Sequence, residues 1–141
     1  MNHTIFSFGH SSRAFSEFLQ KLQEKNIHIL VDVRTIPKSR FSPQYSQNAI
    51  SQALTASGIQ YIYRGKNLGG LGQNERYSEA IEELVELAKS GKNVCIMCSE
   101  ADYMKCHRYT MLTPDFEERG IKVEHILYER VGSFASKNGT F

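Results

Sequence analysis

The stretch His28-Ile29-Leu30-Val31-Asp32-Val33 is an almost unbroken run of apolar, largely β-branched residues. Such runs are typical of strands that are covered on both faces of a parallel sheet. Before it, Phe15, Phe18 and Leu22 recur at the spacing of one helix face, and a short strand pattern at 5–8 precedes that helix. Together these three segments predict a strand–helix–strand unit with parallel strands.

The same alternation continues along the chain. The patterns predict strands at 5–8, 28–33, 59–63, 93–98 and 121–127, with helices at about 15–22, 49–54, 81–88 and 106–112. Thr113-Pro114 is expected to break the last helix and start a short further turn. Strands separated by helices require crossover connections, so we predict a Rossmann-like three-layer α/β sandwich with a largely parallel five-stranded sheet.

Length and composition fit one globular unit. The chain has 141 residues, of which 40% are hydrophobic, and we expect a single domain at 1–132 followed by a polar tail at 133–141. No apolar run approaches the roughly 18 residues of a membrane span, and the first residues show no signal-peptide pattern. Three cysteines are few and odd in number, which argues against a disulfide framework, so we expect a reducing, cytoplasmic setting. Because the chain shows no membrane span, we also expect no membrane partner.

The net charge of +2 conceals an uneven distribution. Residues 34–76 contain six basic residues and one acidic residue, a net +5, which leaves −3 for the rest of the chain. This segment also holds the two longest stretches without a predicted element, 34–45 and 64–77. Loops of that length are uncommon without a function, and a basic region can bind an anion, a phosphate or a nucleic-acid backbone. An ordinary solvated surface is the alternative.

Polar and reactive residues follow four of the predicted strands. They are Gly9-His10-Ser11, then Arg34 and Ser39-Arg40, then Arg64 and Leu68-Gly69-Gly70, and finally Cys98-Ser99-Glu100, Asp102 and Cys106-His107-Arg108. In an open parallel sheet, ligands bind at the carboxyl ends of the strands. The sequence therefore predicts a polar pocket at this edge of the sheet.

These motifs resemble a known family. Phe8-Gly9-His10-Ser11, Val31-Asp32-Val33-Arg34, Leu68-Gly69-Gly70, Met97-Cys98-Ser99-Glu100 and Cys106-His107-Arg108 are similar, in this order, to the bacterial and archaeal "domain of unknown function 488" family. The resemblance implies an α/β fold with a parallel sheet. It implies no particular reaction.

Two acid–base residues are candidates for catalysis. Glu100 can act as a nucleophile or general base, or it can form a structural salt bridge with an arginine. Asp102 is either a second carboxylate of the site or an N-cap for the following helix, and the N-cap is the expected role. His10 is interpreted as a base, a ligand or a hydrogen-bonded structural residue.

The cysteines support a thiol hypothesis and a metal hypothesis. Cys98, Cys106 and His107, joined by His10, carry the ligand types of zinc. However, the spacing matches no standard finger, and adjacent Cys106 and His107 are expected to point in different directions, so no metal is predicted. Cys95 is expected on the opposite strand face from Cys98, in the core. Cys98 and Cys106 are either nucleophiles or packed and inert.

Several further residues are candidates for substrate binding. Guanidinium groups bind phosphate bidentately, which makes Arg34, Arg40 and Arg108 candidate anion clamps, unless they pair with carboxylates. The glycines at 9, 69 and 70 suggest close backbone approach, and the Ser11 region can orient an anion. The remaining candidates are His107 for substrate binding and, for base stacking or simple packing, Tyr45, Tyr61, Tyr63 and Tyr77.

These features favour three hypotheses of function. The first is an enzyme, such as a nucleotide- or glycosidic-bond-directed hydrolase or transferase, that acts on an anionic phosphate-bearing small molecule, nucleotide or nucleic-acid end. The second is a nucleotide- or nucleic-acid-binding module without chemistry. The third is a thiol or metal sensor built on Cys98, Cys106 and His107. The sequence contains neither a dinucleotide fingerprint nor a P-loop, so no cofactor is predicted.

Overall fold

The computed structural model describes residues 3–71 and 74–129, in which strands and helices alternate. The strands are β1 His3–Gly9, β2 Ile29–Asp32, β3 Gln60–Tyr63, β4 Val94–Cys98 and β5 Ile121–His125. The helices are α1 Phe15–Glu24, α2 Gln47–Ala56, α3 Gly65–Leu68, α4 Tyr77–Lys89 and α5 Thr113–Glu118. The predicted polar tail lies outside the described residues.

All five strands form one parallel sheet in the order β3-β2-β4-β1-β5. Helices α1 and α2 cover one face of this sheet, while α4 and α5 cover the other. The predicted Rossmann-like three-layer α/β sandwich is therefore confirmed. Within the described residues, no helix is both long and apolar enough to cross a membrane.

Strand β4 shows how the two layers are built. Cys95 and Met97 point to the α1–α2 face, where they pack in a cluster with Phe18. Ile96 and Cys98 point to the α4–α5 face. Cys95 and Cys98 thus lie on opposite sides of the sheet, as their offset of three residues predicts, because successive side chains alternate along a strand.

The chain after β4 departs from the prediction. A π-helical turn, Arg108–Leu112, continues directly into α5, so the predicted break at Thr113-Pro114 is wrong. Pro114 falls in the first turn of α5, directly after the π-helical turn. Thr113 donates through its backbone N–H and its hydroxyl to the carbonyl of Arg108. Wide turns of this kind often occur at functional sites.

The strand order creates a crevice at one edge of the sheet. Neighbouring strands β2 and β4 lead to helices on opposite faces, because β2 is followed by α2 and β4 by α5. Such a topological switch point opens a gap between the two loops at the carboxyl ends of the strands.

Candidate active site

A cavity of about 520 Å³ opens at this crevice. Its walls come from residues 34–36, 38–40, 70–71, 98–100 and 105–107. Of the residues predicted from the sequence, it brings together Arg34, Arg40, Gly70, Cys98, Glu100, Cys106 and His107. The others, His10, Ser11, Gly69 and Arg108, are not part of the cavity lining.

Two cysteines face each other in the cavity wall. Their Sγ atoms are 2.7 Å apart, and both residues are free cysteines. Cys98 ends β4, whereas Cys106 follows a short 3-10 turn at Tyr103–Lys105 and has an extended backbone (φ −123°, ψ 150°). This extended residue brings the Cys106 thiol back to the strand end.

His107 also contacts the Cys106 thiol. Its Nδ1 atom lies 3.5 Å from Cys106 Sγ, and its Nε2 atom donates to the Leu68 carbonyl at 2.8 Å. The expectation that Cys106 and His107 point apart is therefore wrong. It assumed two helical residues, but Cys106 is extended and only the residues after it are helical. A catalytic thiol–imidazole pair needs a nucleophile, a base and a group that orients the base. Cys106, His107 and the Leu68 carbonyl are arranged for these three roles.

Arg108 lies beneath the thiol pair and is fully buried. Its Nε atom donates to Cys106 Sγ at 3.4 Å, while Nη1 and Nη2 donate to Ser7 Oγ at 2.9 Å and to the Glu100 carbonyl at 2.6 Å. Within residues 3–71 and 74–129, no carboxylate pairs with it. Buried charges normally have a partner of opposite charge, and a thiolate at Cys106 supplies one.

The surroundings separate the pKa values of the two thiols. The hydrogen bond from Cys98, with contributions from His107 and Arg108, lowers the pKa of Cys106 well below its usual value although burial opposes this shift. The hydrogen bond to Cys106, followed by burial, raises the pKa of Cys98. The Cys98 thiol is thus placed to donate to Cys106, and this contact favours a thiolate at Cys106, the reactive form of cysteine.

Arg34 and Asp32 form a buried ion pair on the β2 side of the cavity. Arg34 donates from Nε to Asp32 Oδ1 at 2.8 Å and from Nη2 to Oδ2 at 2.7 Å. Tyr61 donates its hydroxyl to the same carboxylate at 2.6 Å. Asp32 thus has the charged partner that a carboxylate in a buried strand requires. Two side-chain nitrogens of Arg34, Nε and Nη2, are therefore occupied by Asp32.

His10 is buried behind Arg34. Its Nδ1 donates to the Ser11 carbonyl at 2.6 Å, so Nε2 accepts from Arg34 Nη1 at 3.3 Å. The ring stacks on Tyr45 with centroids 4.1 Å apart. Burial lowers the pKa of His10 to about 4, which leaves the ring neutral at pH 7. The geometry is that of a hydrogen-bonded neutral imidazole away from the cavity.

The two carboxylates after β4 have different surroundings. Asp102 accepts a hydrogen bond from the Met104 N–H at 3.1 Å, so it is a cap as expected, but of the 3-10 turn and not of the helix after it. Glu100 lines the cavity with an exposed side chain that accepts from the Asp102 N–H at 3.0 Å. Its backbone approaches Gly9 so closely that a Cβ on Gly9 would lie 1.8 Å from the Glu100 carbonyl oxygen.

The remaining predicted binding residues shape the loops. A Cβ on Gly70 would lie 2.9 Å from the ring of His107, so only glycine leaves room for the imidazole. Gly69 exchanges two hydrogen bonds with Asn74, and Ser11, in a left-handed conformation (φ 59°), donates its N–H to the Ser99 carbonyl. These residues hold the loops that carry the cavity walls.

Much of the basic charge predicted for 34–76 is neutralised. Arg34, Arg64 and Arg76 pair with Asp32, Glu83 and Glu79. Three basic side chains that line the cavity, Lys38, Arg40 and Lys105, form no ion pair with a described carboxylate.

The four tyrosines considered for base stacking are engaged elsewhere. Tyr45 is buried against His10, and the hydroxyls of Tyr61, Tyr63 and Tyr77 donate to Asp32, the Thr35 carbonyl and Asp115.

Sequence reasoning missed several parts of the site. Lys105 stands directly before the Cys106-His107-Arg108 motif, so its position was a usable signal. Ser7, the partner of Arg108, carried no such signal because it precedes the strand end. Among the described residues, no group of three or more His, Cys, Asp or Glu side chains is arranged to hold a metal ion.

The fold and the site define an α/β protein with a cysteine–histidine–arginine cluster at a topological switch point. Comparison with protein families matches residues 14–76 and 71–112 to "Domain of unknown function DUF488". Because the match covers more than half of the chain, the protein belongs to this family. No curated protein and no solved structure matches the chain.

Proposed function

We propose that this protein is an enzyme that uses the Cys106 thiolate as a nucleophile on an anionic, phosphate-bearing substrate. The substrate class comprises small molecules, nucleotides and nucleic-acid ends. One observation carries the proposal. The fully buried guanidinium of Arg108, which has no carboxylate partner within the described ranges, donates to Cys106 Sγ at the wall of an open cavity. A buried cation beside a cysteine favours the thiolate at neutral pH.

The three unpaired basic side chains of the cavity suit the anionic part of the substrate. Lys38, Arg40 and Lys105 line the same cavity as Cys106, and no carboxylate of the described residues pairs with them. Guanidinium and ammonium groups bind phosphate oxygens through charge-assisted hydrogen bonds. We infer that these side chains place the phosphate while Cys106 Sγ faces the reacting atom.

The chemistry is a two-step hydrolysis or transfer. Cys106 Sγ attacks the phosphoryl or glycosyl centre, an S–P or S–C bond forms, and the bond to the leaving group breaks. Because the thiolate carries no proton, the leaving group takes its proton from water through His107 Nδ1, the ring atom that faces the sulfur. Water or an acceptor then cleaves the covalent intermediate. Glu100, exposed in the cavity wall, is a base for that second step.

A ligand screen followed by mass spectrometry tests this proposal. A thermal-shift screen at low salt covers nucleosides, nucleotides, sugar phosphates and short single-stranded DNA. A ligand at a hundred times its Kd adds about 2.7 kcal/mol to the free energy of unfolding. Each hit is then incubated with the wild type, Cys106→Ser, Glu100→Gln and the core control Cys95→Ser. We expect turnover and an adduct on Cys106 in the wild type and Cys95→Ser, and neither in Cys106→Ser. Turnover that survives Cys106→Ser but is lost in Glu100→Gln would refute the thiolate mechanism.

A thiol sensor is the second candidate, and the 2.7 Å approach of Cys98 and Cys106 favours it. A peroxide would oxidise the Cys106 thiolate to a sulfenic acid and be reduced to an alcohol or water. The Cys98 thiol would then condense with it to a disulfide, releasing water. Intact mass after stoichiometric peroxide distinguishes the candidates. A sensor forms the disulfide and shows no hit in the ligand screen, whereas the proposed enzyme turns over a ligand in its reduced state.

A further inference from the structure

Two exposed apolar side chains line the Cys106 cavity, and two more belong to direct sequence neighbours of its lining residues. The large hydrophobic residues exposed within the described parts of the chain are Ile36, Phe41, Leu71, Met104 and Leu127. Ile36 and Leu71 line the cavity, and Phe41 and Met104 are direct neighbours of the lining residues Arg40 and Lys105. Phe41 is 91% exposed. Exposed apolar residues in and next to a cavity lining are typical of a binding surface.

The unpaired basic side chains are interleaved with these apolar residues. Lys38 and Arg40 lie between Ile36 and Phe41, and Lys105 follows Met104. The Arg40 guanidinium is 5.9 Å from the centroid of the Phe41 ring. Cations that follow a backbone, combined with an exposed ring on which a base can stack, are what single-stranded nucleic acid binds.

A second cavity adjoins the first across the loop 37–40. It measures about 590 Å³ and is lined by residues 37–40 and 46–48. The two cavities share Lys38, Ser39 and Arg40. A single nucleotide fills one such space, whereas a strand of two or more nucleotides reaches both and passes its phosphodiester backbone over the basic loop.

We infer that the ligand of this crevice is the end of a single-stranded nucleic acid. Its terminal nucleotide enters the Cys106 cavity, its backbone crosses Lys38 and Arg40, and a base stacks on Phe41. This inference narrows the substrate class of the proposed function and rests on it for the location of the reacting end. It predicts affinity that depends on strand length, salt and the Phe41 ring.

Fluorescence anisotropy with 5′-phosphorylated (dT)8 labelled at its 3′ end tests the inference, with the duplex form and thymidine monophosphate as competitors. Phosphate contacts from Lys38, Arg40 and Lys105 predict a slope of about −2 for log K against log[salt]. Phe41→Ala should weaken binding about tenfold, since stacking on one ring is worth roughly 1–3 kcal/mol per base. Its matched control is Leu127→Ala, another exposed hydrophobic residue away from the cavity. Arg40→Ala should lower the slope by about 0.7, and its control is Lys92→Ala, an exposed lysine before β4 at the opposite edge of the sheet.

Two results would overturn the inference. If thymidine monophosphate competes as strongly as the octanucleotide and Phe41→Ala has no effect, the ligand is a single nucleotide, and the proposed function stands. If neither probe binds above 50 mM salt, the strand-end inference fails, and the adduct on Cys106 with another phosphate compound decides the proposed function independently. Tight, salt-dependent binding of the octanucleotide that falls in Phe41→Ala and not in Leu127→Ala supports it.

Discussion

Replacing Asp32 with asparagine tests whether the buried ion pair supports the β2 wall of the cavity. The carboxylate is fully buried and accepts from Arg34 Nε, Nη2 and backbone N–H and from the Tyr61 hydroxyl. Asparagine keeps one acceptor oxygen but presents an NH₂ group to a guanidinium whose side chain is only 5% exposed. An unpaired buried charge of this kind costs about 3–5 kcal/mol.

Urea unfolding followed by circular dichroism measures this cost. With a denaturant dependence of about 2 kcal/mol per molar urea, the midpoint should fall by about 2 M. The matched control is Glu83→Gln, which removes the partner of Arg64 in a pair with side chains 33% and 39% exposed. That change should cost less than about 1 kcal/mol, because solvent screens exposed pairs.

A double variant separates the buried charge from simple loss of contacts. Asp32→Asn combined with Arg34→Met leaves no buried charge at this position, so it should recover a large part of the lost stability. Two results would refute the importance of the buried charge. One is an Asp32→Asn loss of stability no larger than that of Glu83→Gln. The other is a double variant that loses more stability than Asp32→Asn and Arg34→Met lose together.

Three further predictions concern Arg108, His10 and Gly9. Arg108→Met should raise the pKa of Cys106 by roughly 1–2 units, because a charge-assisted hydrogen bond is worth about 1.5–3 kcal/mol, and alkylation rates against pH measure it. Burial lowers the pKa of His10 to about 4, so the unfolded chain binds its proton more tightly. The wild type should therefore lose up to about 3 kcal/mol between pH 6.5 and 4, and urea titrations of His10→Gln should show a smaller loss. Gly9→Ala should cost about 3 kcal/mol in the same assay, since its Cβ meets the Glu100 carbonyl oxygen. An alkylation profile of Cys106 that is unchanged in Arg108→Met would contradict the first prediction. A loss of stability in acid that is the same in His10→Gln as in the wild type would contradict the second, and an unaltered urea midpoint in Gly9→Ala would contradict the third.

The order of elements was predictable because periodicity is a local property. The apolar run at 28–33 and the helical spacings on either side of it were sufficient to place β2 and its neighbours. The strand order was not predictable in this way. That β2 lies beside β4 depends on which helices cover which face, and this follows from packing across the whole sheet.

The region of the cavity was predictable from the sequence, but the contacts within its wall were not. Residues after β2 and β4 were expected at one edge, and Arg34, Glu100 and Cys106 do line one cavity. Sequence reasoning placed the leading catalytic role on Glu100 because a carboxylate at a strand end is visible in the sequence. It did not detect the contact between Cys106 and His107, which depends on one extended residue before a π-helical turn. Nor did it expect Arg108 to be fully buried, because arginine is usually exposed.

The thiolate state of Cys106 is the central claim, and the pH dependence of its alkylation tests it most directly. Reduced protein is treated with limiting iodoacetamide between pH 5 and 10, and peptide mass spectrometry assigns the label to Cys95, Cys98 or Cys106. We predict that Cys106 is labelled first and that its rate has reached a plateau by pH 7, because the Cys98 thiol and Arg108 hold its pKa well below the usual value. A Cys106 rate that still rises through pH 8–9, as for an ordinary thiol, would contradict the account.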